Sequence, residues 1–88
     1  MAKYRIFIKA SAAKEIENIR TKKDRRRVVK RIHSLADNPR PKGCEKLSGQ
    51  ERYRVRQGNY RIVYSIEDDK LIIHIIKVGD RKNIYRKI

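Results

Sequence analysis

The 88-residue chain has no tryptophan, one phenylalanine, one cysteine, two prolines and only ten acidic residues. Each shortage excludes something. A lone cysteine, Cys44, cannot close an internal disulfide, which fits a reducing compartment. It has no Cys or His company at ligand spacing, so neither a metal nor a small-molecule cofactor is expected. The longest apolar run, Leu71 to Val78, is broken by His74 and Lys77 and falls far short of the roughly 20 residues a membrane span needs. The N-terminal MAKYRIFIK lacks the apolar stretch of a secretory signal. The expectation is a cytoplasmic protein without a membrane partner. Its length allows one domain, 1–88, with one modest core, and no repeat or low-complexity segment divides it.

What the chain has in excess is positive charge. Lys and Arg number 25 against ten Asp and Glu, a formal net charge of +15. Such a field attracts polyanions, so nucleic acid or an acidic protein is the expected partner.

The stretch from Tyr53 to Tyr85, YRVRQGNYRIVYSIEDDKLIIHIIKVGDRKNIY, organises the rest. Arg54 and Arg56 alternate with Tyr53 and Val55, placing the arginines on one face of a strand and the apolar pair on the other. Gly58-Asn59 predicts a two-residue hairpin turn, which sets Arg56 opposite Arg61, Arg54 opposite Val63 and Tyr53 opposite Tyr64. Like charges facing each other across a ladder destabilise it by up to about 1 kcal/mol. A hairpin that keeps such a pair is suited to holding an anion.

Asp68-Asp69 predicts a second two-residue turn, pairing Ile66 with Leu71 and Tyr64 with Ile73. The apolar face then carries Tyr60, Ile62, Tyr64, Ile66, Leu71, Ile73 and Ile75. The opposite face carries the three arginines, flanked by Val63, Ile72, Ile76 and Val78.

Upstream, Tyr4 to Lys9 alternates as a first strand, expected at an edge of the sheet. Ser11 is a plausible N-cap for a helix with Ala12, Ile16 and Ile19 as its stripe. Asp24 is a plausible cap for a second, in which Val28, Ile32, Leu35 and Ala36 repeat. Arg25, Arg26, Arg27, Lys30 and Arg31 crowd elsewhere on that helix, either facing a phosphate backbone or simply solvated. Asn38-Pro39-Arg40-Pro41 ends it, and Lys42 to Gln50 reads as a loop. The fold class is a small α+β domain. An N-terminal strand and a two-helix hairpin precede a three-stranded antiparallel meander forming a twisted sheet, with a short C-terminal turn or helix.

That order, with NPRPKGCEKLSG leading into YRVRQGNYRIVYSI and IIKVGDRKNIY, is similar to the RelE/ParE toxin superfamily of type II toxin–antitoxin modules. The resemblance covers nearly the whole chain, and its RelE-like branch implies a metal-independent mRNA endoribonuclease acting on the ribosome. Carried over by position, a basic pair matches Arg54 and Arg56, a hairpin arginine Arg61, a post-strand arginine Arg81 and a late tyrosine Tyr85. The best-known RelE-like pattern has lysines where this chain has Arg54 and Arg56. Arginine stays protonated in proteins, so the proton acceptor is left unassigned.

The roles the resemblance implies are phosphorane stabilisation by Arg61, leaving-group assistance by Arg81, and base stacking or orientation by Tyr85. Arg54 and Arg56 would position the backbone. The implied partners are an acidic, RelB-like antitoxin, mRNA in the ribosomal A site, and ribosomal RNA. His74, Glu45 and Glu51 are alternative bases; a structural role suits His74 better, and surface charge suits each glutamate. Two rival functions belong to the same superfamily. One is ParE-like inhibition of DNA gyrase; the other is a weakly catalytic toxin serving complex formation and operon autorepression.

Overall fold

Two amphipathic helical stripes and one apolar sheet face meet in a computed structural model that describes residues 3–47 and 51–80. The elements are β1 (Arg5–Ile8), α1 (Ala10–Glu17), α2 (Lys22–Ser34), β2 (Glu45–Lys46), β3 (Arg52–Gln57), β4 (Tyr60–Glu67) and β5 (Ile72–Asp80). The strands form one sheet in the order β1-β5-β4-β3-β2. β1 lies at an edge, as expected, and pairs parallel with β5. Parallel neighbours need a long crossover, and the helices lie within it.

The core gathers Ala12, Ile16, Ile19, Val28, Ile32 and Leu35 from the helical segment against Val55, Ile62, Tyr64, Ile73, Ile75 and Val78 of the sheet. Tyr53 and Tyr60 pack against it half-buried, so the tyrosines of the alternating face are core residues.

The first hairpin follows its turn chemistry. Gln57 pairs with Tyr60 and Arg56 with Arg61 around Gly58-Asn59. Gly58 takes φ +60° while Asn59 stays at negative φ, the pattern of a II′ turn with glycine first.

Five expectations are corrected. The Asp68-Asp69 turn is a longer loop, 68–71, so Ile66 pairs with Ile73 and Tyr64 with Ile75. Asp68 is bonded to Tyr4 and Arg40 and so is engaged away from a tight turn, and the loop closes on Leu71, whose φ is +56°. The slip is two residues, so each side chain keeps its face as far as Ile75. An irregularity between Val63 and Tyr64 then skips Ile76: Val63 faces Lys77, and Ile62 faces Val78. An extra residue reverses the alternation, and Val78, expected on the arginine face, is buried in the core at 1% exposure.

The caps differ as well. α1 begins at Ala10 after Lys9, with no side-chain cap, and Ser11 lies within its first turn. Thr21 caps α2, its hydroxyl accepting from the Asp24 N–H at 3.1 Å, while Asp24 adds negative charge to the first turn. Finally, the segment expected as a loop contains β2, which pairs Glu45 with Arg54 and Lys46 with Tyr53. The expected C-terminal turn or helix lies outside the described residues.

Candidate functional site

Three strands bring the site together. The β3–β4 hairpin holds Arg56 directly across from Arg61, with Arg54 two residues along the same face. β2 lies beside β3 and sets Glu45 opposite Arg54, and their side chains meet at 2.9 Å. Gly43, at φ +91°, turns the chain into β2. With Arg31 of α2 these residues line a cavity of about 370 Å³. Arg56 and Arg61 also border a smaller cleft of about 80 Å³ at the Gly58-Asn59 turn.

The electrostatics are one-sided. Four guanidiniums surround one carboxylate. Arg61 is buried at 4% exposure, and the Arg54 side chain retains 22%. Forked guanidiniums are the groups best shaped to bind phosphate oxygens in pairs. A larger recess of about 710 Å³ lies between α1 and the ends of β4 and β5, but its lining balances Glu15 and Asp80 against Arg20 and Lys77. It offers an anion no comparable attraction.

The segment before β2 is pinned at several points. Buried Tyr64 donates its hydroxyl to the Pro39 carbonyl at 2.7 Å, and burial pushes its phenol well above the usual range. Arg40 grips Asp68 through both terminal nitrogens, at 2.8 and 3.2 Å. Its Nε donates to the Tyr53 hydroxyl at 3.3 Å. Tyr4 donates to the same Asp68 carboxylate at 2.7 Å. The Arg40 bonds, then that from Tyr4, lower Asp68 to a pKa of about 2. The bond to Asp68 raises Tyr4.

The residues singled out from sequence divide clearly. Arg54, Arg56 and Arg61 converge as expected. Arg81 and Tyr85 lie outside the described residues; the strand leading to them ends at Asp80, with Gly79 paired to Arg61. His74 pairs with Ser65 rather than sitting near Val63, which places it about 13 Å along the sheet from Arg61. It stacks on Phe7 at 6.0 Å and meets Glu67 at 3.6 Å, so it is part of the sheet's far end. Glu51 pairs with Lys46 at the surface.

Glu45, expected with Glu51 to be surface charge, is the carboxylate of the arginine cavity. The basic cluster of α2 also splits. Arg25 donates to the Ile19 carbonyl at 3.3 Å, closing the end of the first helical segment. Arg26, Arg27 and Lys30 are exposed, and Arg31 reaches the cavity. Among the described residues no group of His, Cys, Asp and Glu is placed to hold a metal ion.

The architecture agrees with comparisons to known proteins. The family described as the ParE toxin of type II toxin–antitoxin systems, parDE, matches residues 6–85. A RelBE complex of Mycobacterium tuberculosis superimposes with a TM-score of 0.81 at 21% identity, covering 92% of this chain and 94% of that one. The archaeal RelE–RelB complex from Pyrococcus horikoshii OT3 gives 0.80 at 29% identity, covering 90% and 96%. The intact E. coli RelBE complex gives 0.74 at 26% identity, covering 90% and 96%. No curated protein matches the chain. It belongs to the RelE/ParE superfamily and is a toxin of the type II toxin–antitoxin class.

Proposed function

We propose that the protein is a ribosome-dependent mRNA endoribonuclease of the cytoplasm, silenced by an acidic RelB-like antitoxin. The observation that carries this reading is the cavity that gathers Arg54, Arg56 and Arg61 around Glu45. Cleaving RNA without a metal requires that the 2′-hydroxyl lose its proton and attack the adjacent phosphate, forming the new P–O2′ bond as the P–O5′ bond breaks. Glu45 is the cavity group able to accept that proton, because guanidiniums cannot. Arg54 orients the carboxylate through its 2.9 Å bond. Arg56 and Arg61, facing each other, donate to the phosphorane oxygens as their charge grows. On the resemblance alone, Arg81 stabilises the charge on the departing 5′-oxygen, which takes its proton from water, and Tyr85 stacks on a base.

Several features support the partners. The exposed Arg26, Arg27 and Lys30 on α2 suit contact with a ribosomal RNA backbone. The solved neighbours from P. horikoshii and E. coli are RelE proteins bound to RelB. An extended acidic segment complements a chain of net charge +15. A second reading, inhibition of DNA gyrase, is favoured by the family match, whose description names ParE.

The two are separated by incubating the purified chain with ribosomes programmed with a defined mRNA and, in parallel, with gyrase and relaxed plasmid. Cleavage of the ribosome-bound message with supercoiling intact is expected. Intact message with blocked supercoiling would move the protein to the ParE branch.

A further inference from the structure

We infer that the arginine cavity holds two consecutive phosphates of the RNA, and that Arg31 is the ligand of the second. The inference rests on the RNA-cleaving reading and adds to it a substrate requirement: a phosphate beyond the one cut.

Charge balance carries the argument first. Arg31, Arg54 and Arg56 line the cavity against Glu45, which leaves two positive charges in excess before Arg61 is counted. A phosphodiester brings a single negative charge. One scissile phosphate therefore leaves positive charge over in the bound state, and a neighbouring phosphate supplies what is missing.

Geometry assigns the residue. Arg56 and Arg61 line both the main cavity and the small cleft at the hairpin turn, so this pair lies where the two spaces meet. Arg31 comes from a different element, α2, and lines the main cavity only. Gly43 also lines the main cavity, and a Cβ there would meet nothing within 4 Å, so the backbone leaves room at that position. The Arg31 Nε is buried without a hydrogen-bond partner. With its Nε enclosed, Arg31 can meet a phosphate in the cavity only through the two terminal nitrogens of its fork. At about 370 Å³ the cavity lies at the small end of the roughly 300–1,000 Å³ typical of ligand sites. A dinucleotide step suits that size better than a longer strand.

The test uses dinucleotides with a 2′-O-methyl group at the cleaved position, so that they bind without reacting. One probe has the single internal phosphodiester; two others add a 5′-phosphate or a 3′-phosphate. Affinities are measured by chemical-shift titration for the wild-type chain, Arg31→Met and Arg31→Lys. Arg31→Met keeps the apolar stem against the helix, and Arg31→Lys keeps the charge without the fork.

The wild type should bind one of the two-phosphate probes at least about tenfold more tightly than the single-phosphate probe. Arg31→Met should lose that gain while keeping its affinity for the single-phosphate probe. Its slope of log affinity against log salt should be shallower by about 0.7, the share of one phosphate neutralised by one cation. Arg31→Lys should keep the slope and part of the gain. A gain of equal size in wild type and Arg31→Met, or no gain in the wild type, would overturn this inference while leaving the nuclease reading standing. Failure of the wild type to bind any probe, with ribosome-bound message left intact, would overturn both.

Discussion

Glu45 and Arg54 are joined twice, as register partners across β2 and β3 and through a side-chain bond of 2.9 Å. The pair is open to water on the glutamate side, with the Glu45 side chain 63% exposed. Ion pairs of this kind add only about 0–1 kcal/mol to stability. Their consequence here is placement: a two-residue strand fixes a carboxylate among arginines that cannot themselves accept a proton.

Glu45→Gln should therefore leave the fold intact and remove the chemistry. Unfolding in urea should shift by less than about 1 kcal/mol, while single-turnover cleavage of ribosome-bound mRNA falls by about 10²–10⁴. A variant cleaving at the wild-type rate would remove Glu45 from the mechanism.

Arg56 and Arg61 repel one another across the hairpin, so function and stability should diverge at this pair. Arg56→Ala is expected to leave stability unchanged or raise it by up to about 1 kcal/mol. Arg61→Ala, and by resemblance Arg81→Ala, should each lower the cleavage rate by about 10²–10³. Affinity for the antitoxin should change only a few fold, since on the proposed nuclease mechanism these groups act on charge that appears in the transition state. Calorimetry of complex formation alongside the kinetics checks both halves.

The hairpin and its arginine face are legible in the sequence because they depend on local chemistry. Gly58 supplies the positive φ, and strict alternation does the rest. The β4–β5 pairing is not legible, because its loop is set by Asp68 reaching Arg40, 28 residues away, and Tyr4, 64 away. The skipped Ile76, which turns Val78 inward, leaves no mark on an apolar run such as IIHIIKV. Glu45 reads as surface charge because two residues of strand carry no readable pattern. Arg31 is hidden among neighbouring basic residues. Its place on the flank of the Val28–Ile32 stripe is the available signal, but spacing alone does not say which flank faces a cavity.

The Arg40–Asp68 contact predicts a particular acid limb. Asp68 is lowered from 3.8 to about 2, first by Arg40 and then by Tyr4. Between those values the unfolded chain binds more protons than the folded one, so stability falls as pH falls. The contribution is fully present above pH 3.8 and lost as pH drops through about 2. Asp68→Asn should flatten that part of the stability curve and leave its slope near neutrality unchanged.

Glu15 closes the sheet where β1 has ended. Its carboxylate accepts from the Val78 N–H at 3.1 Å and meets Lys77 at 3.4 Å. Glu15→Ala leaves that partly buried donor unsatisfied and should cost about 1–3 kcal/mol in urea unfolding. Glu15→Gln, which keeps an acceptor oxygen, should cost less. Equal losses would mean that the charge, and not the backbone bond, is what matters.

The most direct test of the nuclease mechanism is to express the free chain in cells and, in one culture, map mRNA 5′ ends and gyrase-linked DNA breaks. New 5′ ends within translated messages, without gyrase-linked breaks, are expected for the wild type. They should disappear in Glu45→Gln and Arg61→Ala together with the growth arrest. Arrest with intact messages, accompanied by gyrase-linked breaks and unrelieved by Arg61→Ala, would contradict the nuclease account.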